Sequence, residues 1–434
     1  MSSSLASRVA ASALKSALLQ PPVQTASGPV ILPLNIQNEV STGSYATSCI
    51  LVSPSNYGSA FAGATTQVDF IVGGTGLSTP VSFWRQLYLQ IQFTNQGANP
   101  IRLVQCAFRW FSQIQLLFNG SLVWALNSKN AIANKILTNM SAPEFQSNID
   151  FYAGSTTNPY YTFAAGNTQY FGFNLLYLFP ELGRIYLPGV ADEIRFRFYC
   201  EPAASIVAST SVGLPTDIKL QNMRIIGFGQ QLEPAGAEIL QKMIATSQVR
   251  IPMTAVYARL QTVGPLATGN VSTRMVVNYR GWLNSIGVYT YSDQPSVPEE
   301  VITLLSQPTE FTVYNGSGVP AFQGLQDSTM MQVVRNTQYQ GGLHNDGAVQ
   351  FRLLTSTVGT AQGPFSENSW CSLSTPSWRG DMMRHGSFNA VGTESFSVTA
   401  SGVYTNCQVE MILYVSGILL LTGGALTYQT SSTR

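Results

Sequence analysis

The sequence predicts an all-β protein of two tandem antiparallel bodies joined by one helix. Three observations carry that reading. Short stretches of alternating apolar and polar residues recur along the chain, with turn residues between them. One strand pattern occurs twice: Trp110-Phe-Ser-Gln-Ile114-Gln-Leu-Leu returns, ungapped, as Trp282-Leu-Asn-Ser-Ile286-Gly-Val-Tyr. Between the copies, Glu233 to Val249 departs from the strand pattern and takes helical spacing. Each copy also has an Arg just upstream (Arg109, Arg280) with an aromatic beside it (Phe108, Tyr279). The echo reads as a duplicated domain, with this strand at an equivalent place in each half. Coincidence between two amphipathic strands is the competing explanation.

In chain order, residues 4–20 are rich in Ala and Leu and end at Pro21-Pro22, which marks a helix. Ala6, Ala10, Ala13, Leu14 and Ala17 share one arc of it, and Arg8 and Lys15 lie together on another. A Pro/Gly-containing extended arm follows, so residues 1–34 form a helix and arm ahead of the first body. That body spans 35–232. Val68, Phe70 and Val72 alternate, as do Leu87, Leu89, Ile91 and Phe93 against Tyr88, Gln90 and Gln92. Ile114, Leu116 and Phe118 lead into Asn119-Gly120, after which Leu122, Trp124 and Leu126 resume the period. Asn-Gly accepts positive φ at both centres of a type I′ turn, so this is a β-hairpin. Asn119-Gly120-Ser121 also matches a glycosylation acceptor, but the turn explains the Asn without it. Ala131 to Met140 reads as a short helical excursion. Tyr170 to Leu178 is an apolar run, and Ile194, Phe196, Phe198 and Cys200 alternate with Arg195, Arg197 and Tyr199. Ile218 to Phe228 closes a set of about eight strands, which fits a sandwich or jelly roll.

The linking helix is placed at 233–249. Pro234 suits a first turn, Ile239, Leu240, Met243 and Ile244 share a face, and Glu238 and Lys242 form an i,i+4 pair. The second body runs over 250–434. Its strands are read at Val271 to Tyr279, at the Trp282 echo, at Phe311 and Val313 before Asn315-Gly316, and at Val349 to Leu353. Phe396 and Val398 and then Val409 to Val415 complete it, and Gln362 to Gly392 is read as a long ordered excursion.

Composition narrows the function. Charged residues make up 10% of the 434 residues, against a usual ~25%. So few charges suit broad permanent interfaces, although a secreted β-protein with a Ser/Thr-rich surface would share the trait. The net charge is +1, and Arg8 and Lys15 are the only basic residues before Arg85. No basic arm for direct contact with a genome is present, so no sequence-specific nucleic-acid binding is expected. Cys49, Cys106, Cys200, Cys371 and Cys407 lack metal-ligand spacing and read as free buried thiols. The N-terminus lacks the layout of a secretory signal, and Met411 to Leu421 is too short and too interrupted to span a bilayer. His344 and His385 sit in Gly-rich loops without a carboxylate at motif spacing, and no nucleophile, zincin, phosphate-loop or calcium-loop motif occurs. No catalytic site, cofactor or metal is expected.

The two β-bodies, the linking helix and the Trp-x-x-x-Ile strand in each resemble the double jelly-roll major capsid proteins of tailless, internal-membrane icosahedral viruses, the tectivirus coat protein among them. The stretch YFGFNLLYLFPELGRIYLPGVADEIRFRFYC (170–200) is similar to the apolar strand, Leu-Pro turn and alternating strand late in such a roll. Ile218 to Met253 is similar to its closing strand and inter-roll helix. The resemblance implies two eight-stranded rolls and a non-enzymatic protein, made in the host cytoplasm and carried in the virion shell. It further implies a homotrimer of pseudo-hexagonal outline, contacting neighbouring trimers, minor capsid and penton proteins. The arm residues Leu5, Arg8, Val9, Leu14, Lys15 and Leu18 would then lie on the inner face, beside the internal membrane or beneath the roll. On residues alone, a β-rich viral adhesin or receptor-binding module, and a β-sandwich carbohydrate-active enzyme, remain open.

Overall fold

Where apolar residues alternate with polar ones, one face of a strand is driven inward, and the first body follows that rule strand by strand. The computed structural model describes residues 46–52, 54, 58, 60–74, 81–104, 107–129, 131–132, 135–136, 160–191, 193–207, 211–261, 269–277, 282–291, 307–314, 318, 320–322, 370–374, 388–389, 396–404 and 408–430. The helix and arm expected at 1–34 and the strand read at Val349 to Leu353 lie outside them. The first body contains β1 (Ala46–Val52), β2 (Thr66–Gly73), β3 (Phe83–Asn95), β4 (Ile101–Val104) and β5 (Phe111–Phe118). It continues with β6 (Ser121–Leu126), β7 (Tyr160–Phe163), β8 (Thr168–Asn174), β9 (Ile194–Cys200) and β10 (Ile218–Gln231).

Eight of these strands form two facing antiparallel sheets, in the orders β1-β10-β3-β8 and β2-β9-β5-β6. Strands β4 and β7 make a separate pair. Apart from the β5–β6 hairpin, consecutive strands of the two sheets thus cross from one to the other in the winding of a jelly roll. Asn119 and Gly120 take φ of 46° and 77°, the double positive value that the β5–β6 hairpin requires.

Between the sheets lies an aromatic core. Trp110 stands 5.0 Å from Phe171 and 5.6 Å from Phe93, and Phe111 stands 5.3 Å from Phe198. Phe70, Phe93, Ile114, Leu116, Phe196 and Phe198 are fully buried. Each such side chain contributes ~1.5–3 kcal/mol on burial, and offset or edge-on ring pairs add ~0.5–1.5 kcal/mol each.

Helix α1 (Pro234–Thr246) follows, with Pro234 in its first turn. It is shorter than the stretch read from the sequence: Ser247 is extended and Val249 already begins the next strand. The second body comprises β11 (Val249–Gln261), β12 (Gly269–Val277), β13 (Trp282–Tyr291), β14 (Gln307–Tyr314) and β15 (Pro320–Phe322). After these come β16 (Trp370–Ser374), β17 (Phe388–Asn389), β18 (Phe396–Tyr404), β19 (Gln408–Thr422) and β20 (Ala425–Thr430). Its sheets run β11-β19-β13-β16 and β12-β18-β14-β15, with β17 on β13 and β20 on β19. Strand for strand, this is the winding of the first body. The excursion read at Gln362 to Gly392 is therefore partly sheet, since it supplies β16 and β17.

The echo needs correcting. Trp110 and Ile114 belong to the approach and body of β5, third in the sheet β2-β9-β5-β6. Trp282 and Ile286 belong to β13, third in β11-β19-β13-β16. The topological counterpart of β13 is β3, which begins Phe83-Trp84. The bodies are duplicated in winding, but the matched strands are not equivalent. Any half-buried strand has a period of two, so an eight-residue match reports burial, not position.

Candidate functional site

The polar groups among the described residues are mostly paired with one another. Among the described residues no cluster of three or more His, Cys, Asp or Glu could hold a metal ion. His344 and His385 lie outside the described residues. Cys200 is a free thiol at the end of β9, and burial, with Glu201 nearby, pushes its pKa far above the ordinary range. Such a thiol is inert.

One ion network stands on the outward face of the β2-β9-β5-β6 sheet. Asp69 on β2 and Arg197 on β9 are register partners, so the pleat brings their side chains together on one face. Arg197 donates to both Asp69 oxygens at 3.0 Å, and Arg195 donates to Oδ2 at 3.1 Å. Arg195 also donates to Glu193 at 2.7 Å, and Gln67 donates to Asp69. Burial pulls the Asp69 carboxyl upward, but hydrogen bonds from Arg197, Arg195 and Gln67 outweigh it and hold it below the usual carboxylate range. Opposite charges neutralise one another here, which gives a locked patch and not a reactive one.

The more consequential feature is the seam between the two bodies. From the first body it takes β6, Ser128, and the short 3₁₀ turns Pro180–Arg184 and Leu187–Gly189. From the second it takes β11, the start of β19, the β19–β20 turn and helix α1. Ser128 donates its hydroxyl to Glu410 at 2.9 Å, with both residues buried. The Ala191 N–H donates to the Gly424 carbonyl at 2.9 Å. Gly424 needs its positive φ of 88° to make that turn, and a Cβ there would lie 3.1 Å from Ala191 Cβ. Gly189 lets α1 approach, because a Cβ there would stand 2.5 Å from Ile244 Cδ1. Nearby, Lys135 feels the buried carboxylate of Glu181, and burial pushes the ammonium pKa down against that attraction.

Burial follows the seam. A strand with one solvated face shows alternation, yet β19 is buried at Glu410, Met411, Ile412 and Leu413 in succession, and again at Leu419, Leu420 and Leu421. Both its faces are covered. Ile412, Ile251, Met253, Leu240 and Ile244 join the same continuous hydrophobic cluster as Phe93 and Trp110. The seam is therefore packed like a core and holds the bodies in one fixed relation.

None of the residues singled out for function in the arm (Leu5, Arg8, Val9, Leu14, Lys15, Leu18) is among the described residues. Trp110 and Ile114 are core residues of the first body. The apolar face of α1 was legible, but the polar pairing across the seam had no signal in the sequence, since Ser128 and Glu410 are 282 positions apart.

No family model and no curated protein matches the sequence. Solved structures match the fold. PBCV-1 VP54, in a crystal structure fitted into a cryo-EM reconstruction of the virophage Sputnik, gives a TM-score of 0.63 at 9% identity, over 90% of this chain and 98% of that chain. The Faustovirus major capsid protein gives 0.54 at 9% identity, covering 96% and 98%. The 3.5 Å cryo-EM structure of the Sputnik virophage gives 0.54 at 10% identity, covering 96% and 93%. With two complete rolls of the same winding, matched over nearly the full length of those chains, this protein has the double jelly-roll fold of the PBCV-1 and Faustovirus major capsid proteins.

Proposed function

We propose that the chain is the major capsid protein of an icosahedral particle built over an internal membrane. One observation carries this: two rolls of identical winding are joined rigidly, side by side, through unlike surfaces. The first roll offers its β6 side and the second its β11–β19 side. A head-to-tail contact of that kind, repeated, closes into a ring when its rotation divides a full turn. Three chains supply six rolls, which gives a pseudo-hexagonal capsomer.

Composition supports the reading, since 10% charged residues leave broad surfaces suited to permanent contacts with neighbouring capsomers and with minor capsid and penton proteins. Ala46, the first described residue, pairs with Gln231 at the end of β10, three positions ahead of α1 in sequence. In a shell, that end carries Leu5, Arg8, Val9, Leu14, Lys15 and Leu18 to the inner face, where Arg8 and Lys15 meet anionic headgroups or the helix packs beneath the roll. The role is structural, without catalysis or cofactor, and the site of action is the virion.

Native mass spectrometry of the purified chain tests this. A species of three 47.0 kDa chains is expected. A stable monomer at micromolar concentration would overturn the proposal.

A further inference from the structure

In the seam within one chain, the second roll presents its β11–β19 side. The matching strands of the first roll are β1 and β10, because the two rolls share one strand order. Leu51 on β1 is 58% exposed and is the register partner of Ile226 on β10, which in turn pairs with Tyr88 on β3. Ile226 and Phe228 are half-buried, while Met223 and Ile225, on the opposite face of the same strand, are fully buried. An apolar stripe thus crosses three strands, and the middle one is the counterpart of β19.

The charges of this face are equally unusual. None of β1, β3, β8 and β10 contains an acidic residue. Arg224 donates to Gln90 at 2.7 Å, and Arg85 donates to Gln230, so amides and not carboxylates take both arginines, while Lys219 on β10 is exposed. The other sheet of the same roll carries Asp69, Glu193, Arg195 and Arg197 on its outward face, a surface suited to solvent. Two outward faces of one roll therefore differ as an interface differs from a free surface.

We infer that the outward face of β1, β10 and β3, centred on Leu51, Ile226 and Tyr88, docks against the second roll of another copy of this chain, at the side bearing β15. The inference rests on the capsomer reading and names its interface. Strand β15 ends the second roll's β12-β18-β14-β15 sheet as β6 ends the corresponding sheet of the first roll. The contact between chains then repeats the contact within a chain, which gives a ring of six lobes one recurring head-to-tail contact.

The test combines a charge and a cross-link. In the intact chain, Ile226→Glu together with Leu51→Glu places two unpaired carboxylates in the proposed interface, while Asp69→Asn alters the opposite sheet. Weakening of trimer association by ~100-fold or more is expected for the first variant and none for the second. Circular dichroism and the thermal transition confirm that each variant folds. A photo-cross-linking benzoylphenylalanine at position 51 should capture residues of the second roll of another chain near β15. If the wild type is trimeric but the double variant trimerises equally well, or the cross-link lands on a first roll or on residues 1–45, the face is wrongly assigned and the capsomer reading survives. A monomeric wild type overturns both.

Discussion

Gly227 gives the sharpest test of the first roll's packing. It lies in β10 over the indole of Trp84, and a Cβ built there would stand 2.5 Å from Cζ3 and 2.8 Å from Cη2. Carbon atoms in contact prefer ~3.5–4.0 Å, so Gly227→Ala demands a shift of about 1 Å from the ring or the strand. The ring is poorly placed to give way. Trp84 is 1% exposed, and its Nε1–H donates to the Val72 carbonyl at 2.6 Å. Overpacking of this kind costs ~1–3 kcal/mol, and a strained buried hydrogen bond adds up to ~1 kcal/mol. Against this, alanine reduces the freedom of the unfolded chain and returns ~0.4–1 kcal/mol. The net loss is ~2 kcal/mol, which lowers Tm by roughly 4–8 °C for a domain of this size. Calorimetry of Gly227→Ala beside Gly63→Ala, where a Cβ meets nothing within 4 Å, isolates the clash. Adding Trp84→Phe should recover part of the loss, because two substitutions in contact do not add. Equal melting of the two alanine variants would refute the reasoning.

Three further outcomes are expected. Asp69→Asn removes a carboxylate whose pKa is depressed in the folded state, so its stabilisation is present above the unfolded value near ~3.9 and fades as pH falls through the lower folded one. Wild type should therefore exceed the variant in stability at pH 7 and converge with it in strong acid, measured by denaturant titration at each pH. Cys200 should resist alkylation in the native protein at pH 8 and react fully in denaturant, read as mass added to its own peptide. Deleting residues 1–33 should leave trimers intact and abolish particle assembly, scored by native mass and electron microscopy; loss of the trimer, or normal shells, would contradict the inner-face assignment of the arm.

Much of the first roll was legible because its strands have one dry face. Strand β9 alternates throughout and β3 does so from Leu87 onward, and Asn119-Gly120 forces its hairpin. The second roll was harder to read. Pro252 argues against a strand, yet β11 is an edge strand, where the missing N–H costs no ladder bond. Strand β1 has too short and mixed a sequence, ATSCILV, to show a period. The Trp282 echo misled because it matched β5, whereas the winding pairs β13 with β3 and hence with Trp84. The seam was illegible for a different reason. Its contacts join Ser128 to Glu410 and Ala191 to Gly424, pairs that only the completed winding brings together.

Class averages of the purified protein by electron microscopy test the central claim most directly. Two rolls fixed by a buried seam through unlike surfaces should yield closed, three-fold particles with six lobes of similar size. Isolated two-lobed particles, or open chains that fail to close, would contradict it.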